Sequence, residues 1–127
     1  MPKFQMQIET EYPILFLSDA VQKWSVPDNV GQSFATASAD CISFYVLSYV
    51  DGASLVTVTD RECETGGMKL FTGVIEASTG ELTMSDSATF RYLNIPVPIG
   101  PVTVDIWADD DRNPDWVWIR LGAIRQY

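Results

Sequence analysis

Residues 41–59 read CISFYVLSYVDGASLVTVT, and the parsing of this stretch decides the fold. Residues 41–50 are the longest strand candidate in the chain, running Cys41-Ile42-Ser43-Phe44 into further apolar and aromatic positions. Asp51-Gly52 follows, and residues 54–59 then set Leu55 against Val56 and Val58. Glycine enters the positive-φ conformations of two-residue turns at little steric cost, so Asp-Gly between two such runs signals a β-hairpin. The sequence therefore predicts two antiparallel neighbours joined at Asp51-Gly52.

Outward from this stretch the period of two persists. Phe4, Met6 and Ile8 alternate with Gln5, Gln7 and Glu9, the pattern of a half-buried strand. Residues 12–17 form a second apolar run, and Pro13 near its start points to an edge, where a missing N–H is tolerated. Further candidates cover residues 68–77, 81–84, 89–96, 102–108 and 116–124. Turn signals separate them at Gly66-Gly67, Thr79-Gly80, Pro98-Ile99-Gly100-Pro101 and the polar residues 109–115. Val102, Val104 and Ile106 share one face. Trp116, Trp118 and Arg120 face one way, and Val117, Ile119 and Leu121 the other. Only residues 19–24 suit a short helix, with Ser18 or Asp19 as its N-cap. About eight short strands with turns at this spacing predict an all-β chain, an antiparallel β-sandwich forming a single domain over residues 1–127.

Composition narrows the function. A hydrophobic fraction of 46% over 127 residues supplies a core without disulfides or a structural metal. Seventeen acidic against eight basic side chains leave a net charge of −9, which repels nucleic-acid phosphate and anionic membrane surfaces alike. Histidine is absent, which removes Ser-His-Asp and Cys-His nucleophiles and His-ligated metal sites. No apolar run approaches the roughly 20 residues of a membrane helix. The opening residues alternate polar and apolar types without a signal-peptide core, so the expected location is the cytoplasm. Cys41 and Cys63 lie outside any CxxC spacing and are expected as free thiols, Cys41 in a buried strand. Glu62 and Glu64 flank Cys63 and disfavour its thiolate.

The sharpest local feature is the acidic run at residues 109–115. Asp109, Asp111, Asn113 and Asp115 repeat the alternate spacing of a calcium loop, yet Pro114 stands where an EF-hand needs glycine, and Arg120 where it needs glutamate. An EF-hand is excluded; a looser divalent-cation or small-ligand site in a β-loop is the alternative reading, and a solvated inter-strand loop is the plain one. Asp60, Glu62 and Glu64, with Asp51 and Asp109 to Asp111, suggest acidic loops at the sheet ends. Such a surface either serves solubility or imitates phosphate toward a basic protein groove. Trp107 is expected in the core. The face carrying Trp116 and Trp118 is either a second half-core or an exposed aromatic patch, with at least one of the two in a core. No phosphate loop and no catalytic constellation stands out, and no cofactor is implied.

Gly31-Gln32-Ser33-Phe34-Ala35, a short polar spacer and Ile42-Ser43-Phe44 together resemble a signature of the bacterial competence protein J (nuclease inhibitor Nin) family. The strands Phe4-Gln5-Met6-Gln7-Ile8 and Ile14-Leu15-Phe16-Leu17 precede it. Ile95-Pro96-Val97-Pro98-Ile99-Gly100 follows and leads to a strand ending near Trp107. Ser33 departs from the glycine usual in the family, and the chain is shorter between its middle strands. The resemblance implies a small non-enzymatic cytoplasmic inhibitor with a protein partner, a DNA-entry nuclease; the acidic charge already argues against membrane and direct nucleic-acid binding. On that footing Asp109, Asp110, Asp111 and Asp115 stand in for phosphates toward a basic nuclease, and Trp116 or Trp118 supplies the desolvated anchor.

Overall fold

The computed structural model describes residues 3–20, 26–27, 33–48, 50–64, 66–86 and 90–124. Ten strands run in order: β1 (Lys3–Ile8), β2 (Ile14–Asp19), β3 (Ala35–Ala37), β4 (Cys41–Tyr45), β5 (Ser54–Thr59), β6 (Met68–Ala77), β7 (Glu81–Asp86), β8 (Arg91–Pro96), β9 (Gly100–Ala108) and β10 (Trp116–Leu121). They form two five-stranded sheets, β1-β5-β10-β9-β6 and β3-β4-β2-β7-β8. All pairings are antiparallel except β5 with β10, which is parallel. The all-β sandwich read from the period of two is the architecture found, and β3 is the strand the sequence did not announce. No helix lies among the described residues. Ser18 and Asp19, the expected helix cap, instead close β2, and residues 21–25 fall outside the described set.

The expected hairpin does not form. Asp51 and Gly52 do turn, with both amides donating to the Ser48 carbonyl and Gly52 at φ 119°. However, β4 and β5 belong to different sheets, so this turn carries the chain across the sandwich. Apolar residues on both sides of the turn gained more by entering opposite sheets than by pairing with each other. Val56 and Val58 face the core from one sheet, and Ile42 and Phe44 from the other. Pro13 likewise lies before its strand, its carbonyl accepting the Val46 amide, and β2 is central rather than an edge.

The core fills the space between the sheets. Val104, Ile106, Val117 and Ile119 meet Leu15, Leu17, Leu82 and Ile95, all with no more than 1% of their surface exposed. Each such side chain contributes roughly 1.5–3 kcal/mol, which carries the fold without a disulfide. Neither Cys41 nor Cys63 forms a disulfide, and burial pushes the Cys41 thiol well above its ordinary range. At the end of β2, the Asp19 carboxylate accepts the backbone N–H and the hydroxyl of both Ser78 and Thr79. It thereby ties β2 to the β6–β7 turn, through which the chain crosses from the first sheet to the second.

Candidate functional site

Strand register sorts the loops between two ends. Ile8 pairs with Ser54, Trp116 with Leu55 and Val117 with Ala108. In the other sheet, Ile14 pairs with Tyr45, and Leu15 with Asp86. The β1–β2, β4–β5, β7–β8 and β9–β10 connections therefore emerge together. They are also laced to one another. Tyr92 donates its hydroxyl to the Glu9 carbonyl at 3.3 Å, Thr10 bridges to Ser48, and the Ser54 hydroxyl donates to the Pro114 carbonyl at 2.8 Å.

Among the described residues, this end gathers eight acidic side chains. Glu9 and Glu11 come from the β1–β2 loop, Asp51 from β4–β5 and Asp86 from the end of β7. Asp109, Asp110, Asp111 and Asp115 come from β9–β10. The sequence reading had grouped Asp51 with the 109–111 run but missed Glu9, Glu11 and Asp86, because spacing along the chain does not say at which end a loop emerges. Asp60, Glu62 and Glu64 are not at this end. They lie on the β5–β6 connection, which crosses the outer face of the first sheet; there Glu62 meets Arg120 at 3.2 Å and Glu64 meets Arg61 at 3.9 Å.

Within the 109–115 loop the carboxylates divide their labour. Asp109 Oδ1 accepts the amides of Asp115 and Trp116 at 2.9 and 3.3 Å. Asp110 Oδ2 accepts those of Asn113 and Arg112 at 2.7 and 3.2 Å, and these backbone bonds hold its carboxyl below the usual range. Asp111 and Asp115 are exposed, and no hydrogen bond to either carboxylate is seen among the described residues. Two carboxylates thus shape the loop while two remain turned to solvent. Among the described residues no three His, Cys, Asp or Glu side chains converge as metal ligands. Millimolar calcium is accordingly expected to leave the melting temperature unchanged, whereas occupancy at a hundred times Kd would add about 2.7 kcal/mol, readable by thermal melting.

Trp107, Trp116 and Trp118 lie on the outer face of the first sheet. Trp118 pairs across strands with Trp107, and the row continues to Thr57 on one side and Lys69 on the other. Trp118 is 6% exposed and sits apart from the central cluster. Its indole N–H donates to the Arg61 carbonyl at 2.9 Å, and the Lys3 ammonium stands 5.4 Å from its ring centre. Trp116 is half-buried against Gly67, where a Cβ would fall 2.1 Å from the ring. The β5–β6 crossing can therefore lie flat on Trp116 only with glycine there. This face is the second half-core of the sequence reading. Trp107 is a correction: it is half-buried on this outer side under Lys69, out of phase with the inward Val104, Ile106 and Ala108. Beside it, Asp105 binds Lys69 at 3.3 Å and Arg120 at 3.2 Å and accepts the Thr72 hydroxyl. Burial alone would raise its pKa, but these partners outweigh burial and hold it below the usual carboxylate range.

Of the signature that carried the family resemblance, Gly31 and Gln32 lie outside the described residues. Phe34 is buried edge-on against Tyr45, with ring centres 6.1 Å apart. No family model and no curated protein matches the sequence. Among solved structures, the chain is similar to ComJ from Bacillus subtilis, described as an inhibitor of the DNA-degrading activity of NucA. The two are 12% identical over 93% of each chain, with a TM-score of 0.67. It is also similar to a protein described as crocagin biosynthetic gene J, 14% identical, with a TM-score of 0.53 over 98% of this chain and 100% of the other. The chain thus has a ComJ-like β-sandwich fold.

Proposed function

We propose that this chain is a non-enzymatic cytoplasmic inhibitor that binds a basic DNA-cleaving nuclease and blocks the groove that DNA would enter. The observation that carries this reading is a ComJ-like sandwich presenting eight carboxylates at one end. Asp111 and Asp115 act as the phosphate substitutes, on a loop whose shape Asp109 and Asp110 maintain. Trp116 flanks them at the start of β10, and Trp118 supports that strand from its covered position. Complementary potentials of this kind steer diffusional encounter and disfavour nucleic acid as a rival ligand for the inhibitor.

The test is retention and suppression together. The immobilised chain is exposed to lysate of its source organism at low and at moderate salt. A basic protein retained at low salt, released as salt rises, cleaving DNA alone and silenced when the chain is added back, is the expected result. Retention of no nuclease, or of one whose cleavage the chain leaves unchanged, would remove the inhibitor assignment.

A further inference from the structure

The acidic end also carries aromatic surface at the side away from the 109–115 loop. Phe90 is 62% exposed and Tyr12 58%, both unusual for such large rings. The Phe90 backbone and ring both have partners. Its amide donates to Asp86 Oδ1 at 3.0 Å, and its carbonyl accepts the Asp86 amide at 3.0 Å. The ring packs edge-on against Tyr92, with centres 4.9 Å apart. Tyr92 in turn donates to Asp86 Oδ2 at 3.0 Å and to the Glu9 carbonyl, which fixes the β1–β2 loop alongside. Burial and the Asp86 carboxylate push the Tyr92 pKa up to about 12, so the hydroxyl keeps its proton for this bond.

We infer that Phe90, Tyr92 and Tyr12, flanked by Glu9, Glu11 and Asp86, form the anchoring half of a docking surface for a basic protein. Exposed, pre-ordered aromatics lose little conformational freedom on binding, and a carboxylate rim selects cationic surroundings for them. The inference rests on the inhibitor reading for the partner's activity and on charge complementarity for its chemistry. Anchoring by this patch assigns the desolvated contact to Phe90 and leaves Trp118 its structural place.

A photoreactive benzophenone amino acid placed at position 90, and in a second preparation at position 99, tests this in source-organism lysate. Ile99 is 76% exposed in the β8–β9 turn, which register places at the opposite end. Adducts are identified by mass spectrometry and assayed for DNA cleavage. An adduct at position 90 and not 99 with a basic nuclease is expected. A basic protein without nuclease activity at position 90 would uphold the patch and overturn the inhibitor reading. A nuclease adduct at position 99 alone would overturn the patch and leave the inhibitor reading standing. No adduct at position 90, or one with an acidic protein, would also overturn the patch. With the captured partner, Phe90→Ala should weaken binding at least roughly thirtyfold, chiefly through faster dissociation, while Ile99→Ala changes it less than about twofold. Equal affinities for the two variants would count against the anchor. Phe90 projects into solvent, so its truncation leaves the fold intact and the comparison readable.

Discussion

A chain carrying Glu9→Gln, Glu11→Gln, Asp111→Asn and Asp115→Asn is expected to associate with the basic nuclease proposed as its partner roughly ten- to hundredfold more slowly at low salt. These four side chains are exposed, and no hydrogen bond to their carboxylates is seen among the described residues, so the exchange alters charge and leaves loop shape alone. Asp109 and Asp110 are kept because their carboxylates hold the loop amides. The acidic field acts over about a Debye length, 8 Å at physiological ionic strength, so salt should slow the native chain far more than the variant. Stopped-flow association measured across ionic strengths reads both effects. Equal on-rates with equal salt slopes would show that this end does not steer the partner. An unchanged circular dichroism spectrum and melting curve would confirm that only the encounter was altered.

The second large effect concerns stability. Asp19→Ala should cost about 2–3 kcal/mol near neutral pH, lowering the melting temperature by roughly 10 °C. Asp19 is 2% exposed, and its two oxygens accept four hydrogen bonds from Ser78 and Thr79. Ser78 and Thr79 are themselves exposed and can turn partly to water, which caps the loss. Burial tends to raise the Asp19 pKa, but the four donors prevail and hold it below the usual range. A carboxyl depressed in the folded state contributes stability that is fully present above its unfolded pKa, near 3.9, and disappears as pH falls through the lower folded value. The gap between native and variant melting curves should thus be constant above about pH 5 and shrink below about pH 4. A gap that grows with acidity would show that Asp19 is not held as a hydrogen-bonded carboxylate.

Alternation along single strands was legible in the sequence, and pairing between distant strands was not. Phe4, Met6 and Ile8, like Val117, Ile119 and Leu121, turn the face their period predicts. Trp107 could have been placed by the same rule, since it is odd-numbered in a strand whose even positions face inward; its size and its neighbours' apolarity obscured the phase. At residues 41–59 a genuine local turn was present, but the partners of β5 are β1 and β10, one far before it and one far after. Local chemistry cannot encode such a choice, which is settled by which faces bury together. The same limit applied to the candidate site. The 109–115 loop declared itself by composition, whereas Glu9, Glu11, Asp86 and Phe90 join it only through the topology.

The placement of β10 also bears on synthesis. This strand lies between β5 and β9 and supplies their shared hydrogen bonds. While the ribosome is still translating residues 60–115, β5 has only β1 beside it, and its other backbone edge is unsatisfied. Val56 and Val58 then sit on an open ribbon suited to pairing with a neighbouring nascent chain. Closure waits for a parallel contact spanning about sixty residues, a slow kind of event because loop entropy must be overcome first. Cells producing this protein quickly should therefore depend on holdase chaperones during the second half of translation, even though the finished sandwich presents no such edge at β5.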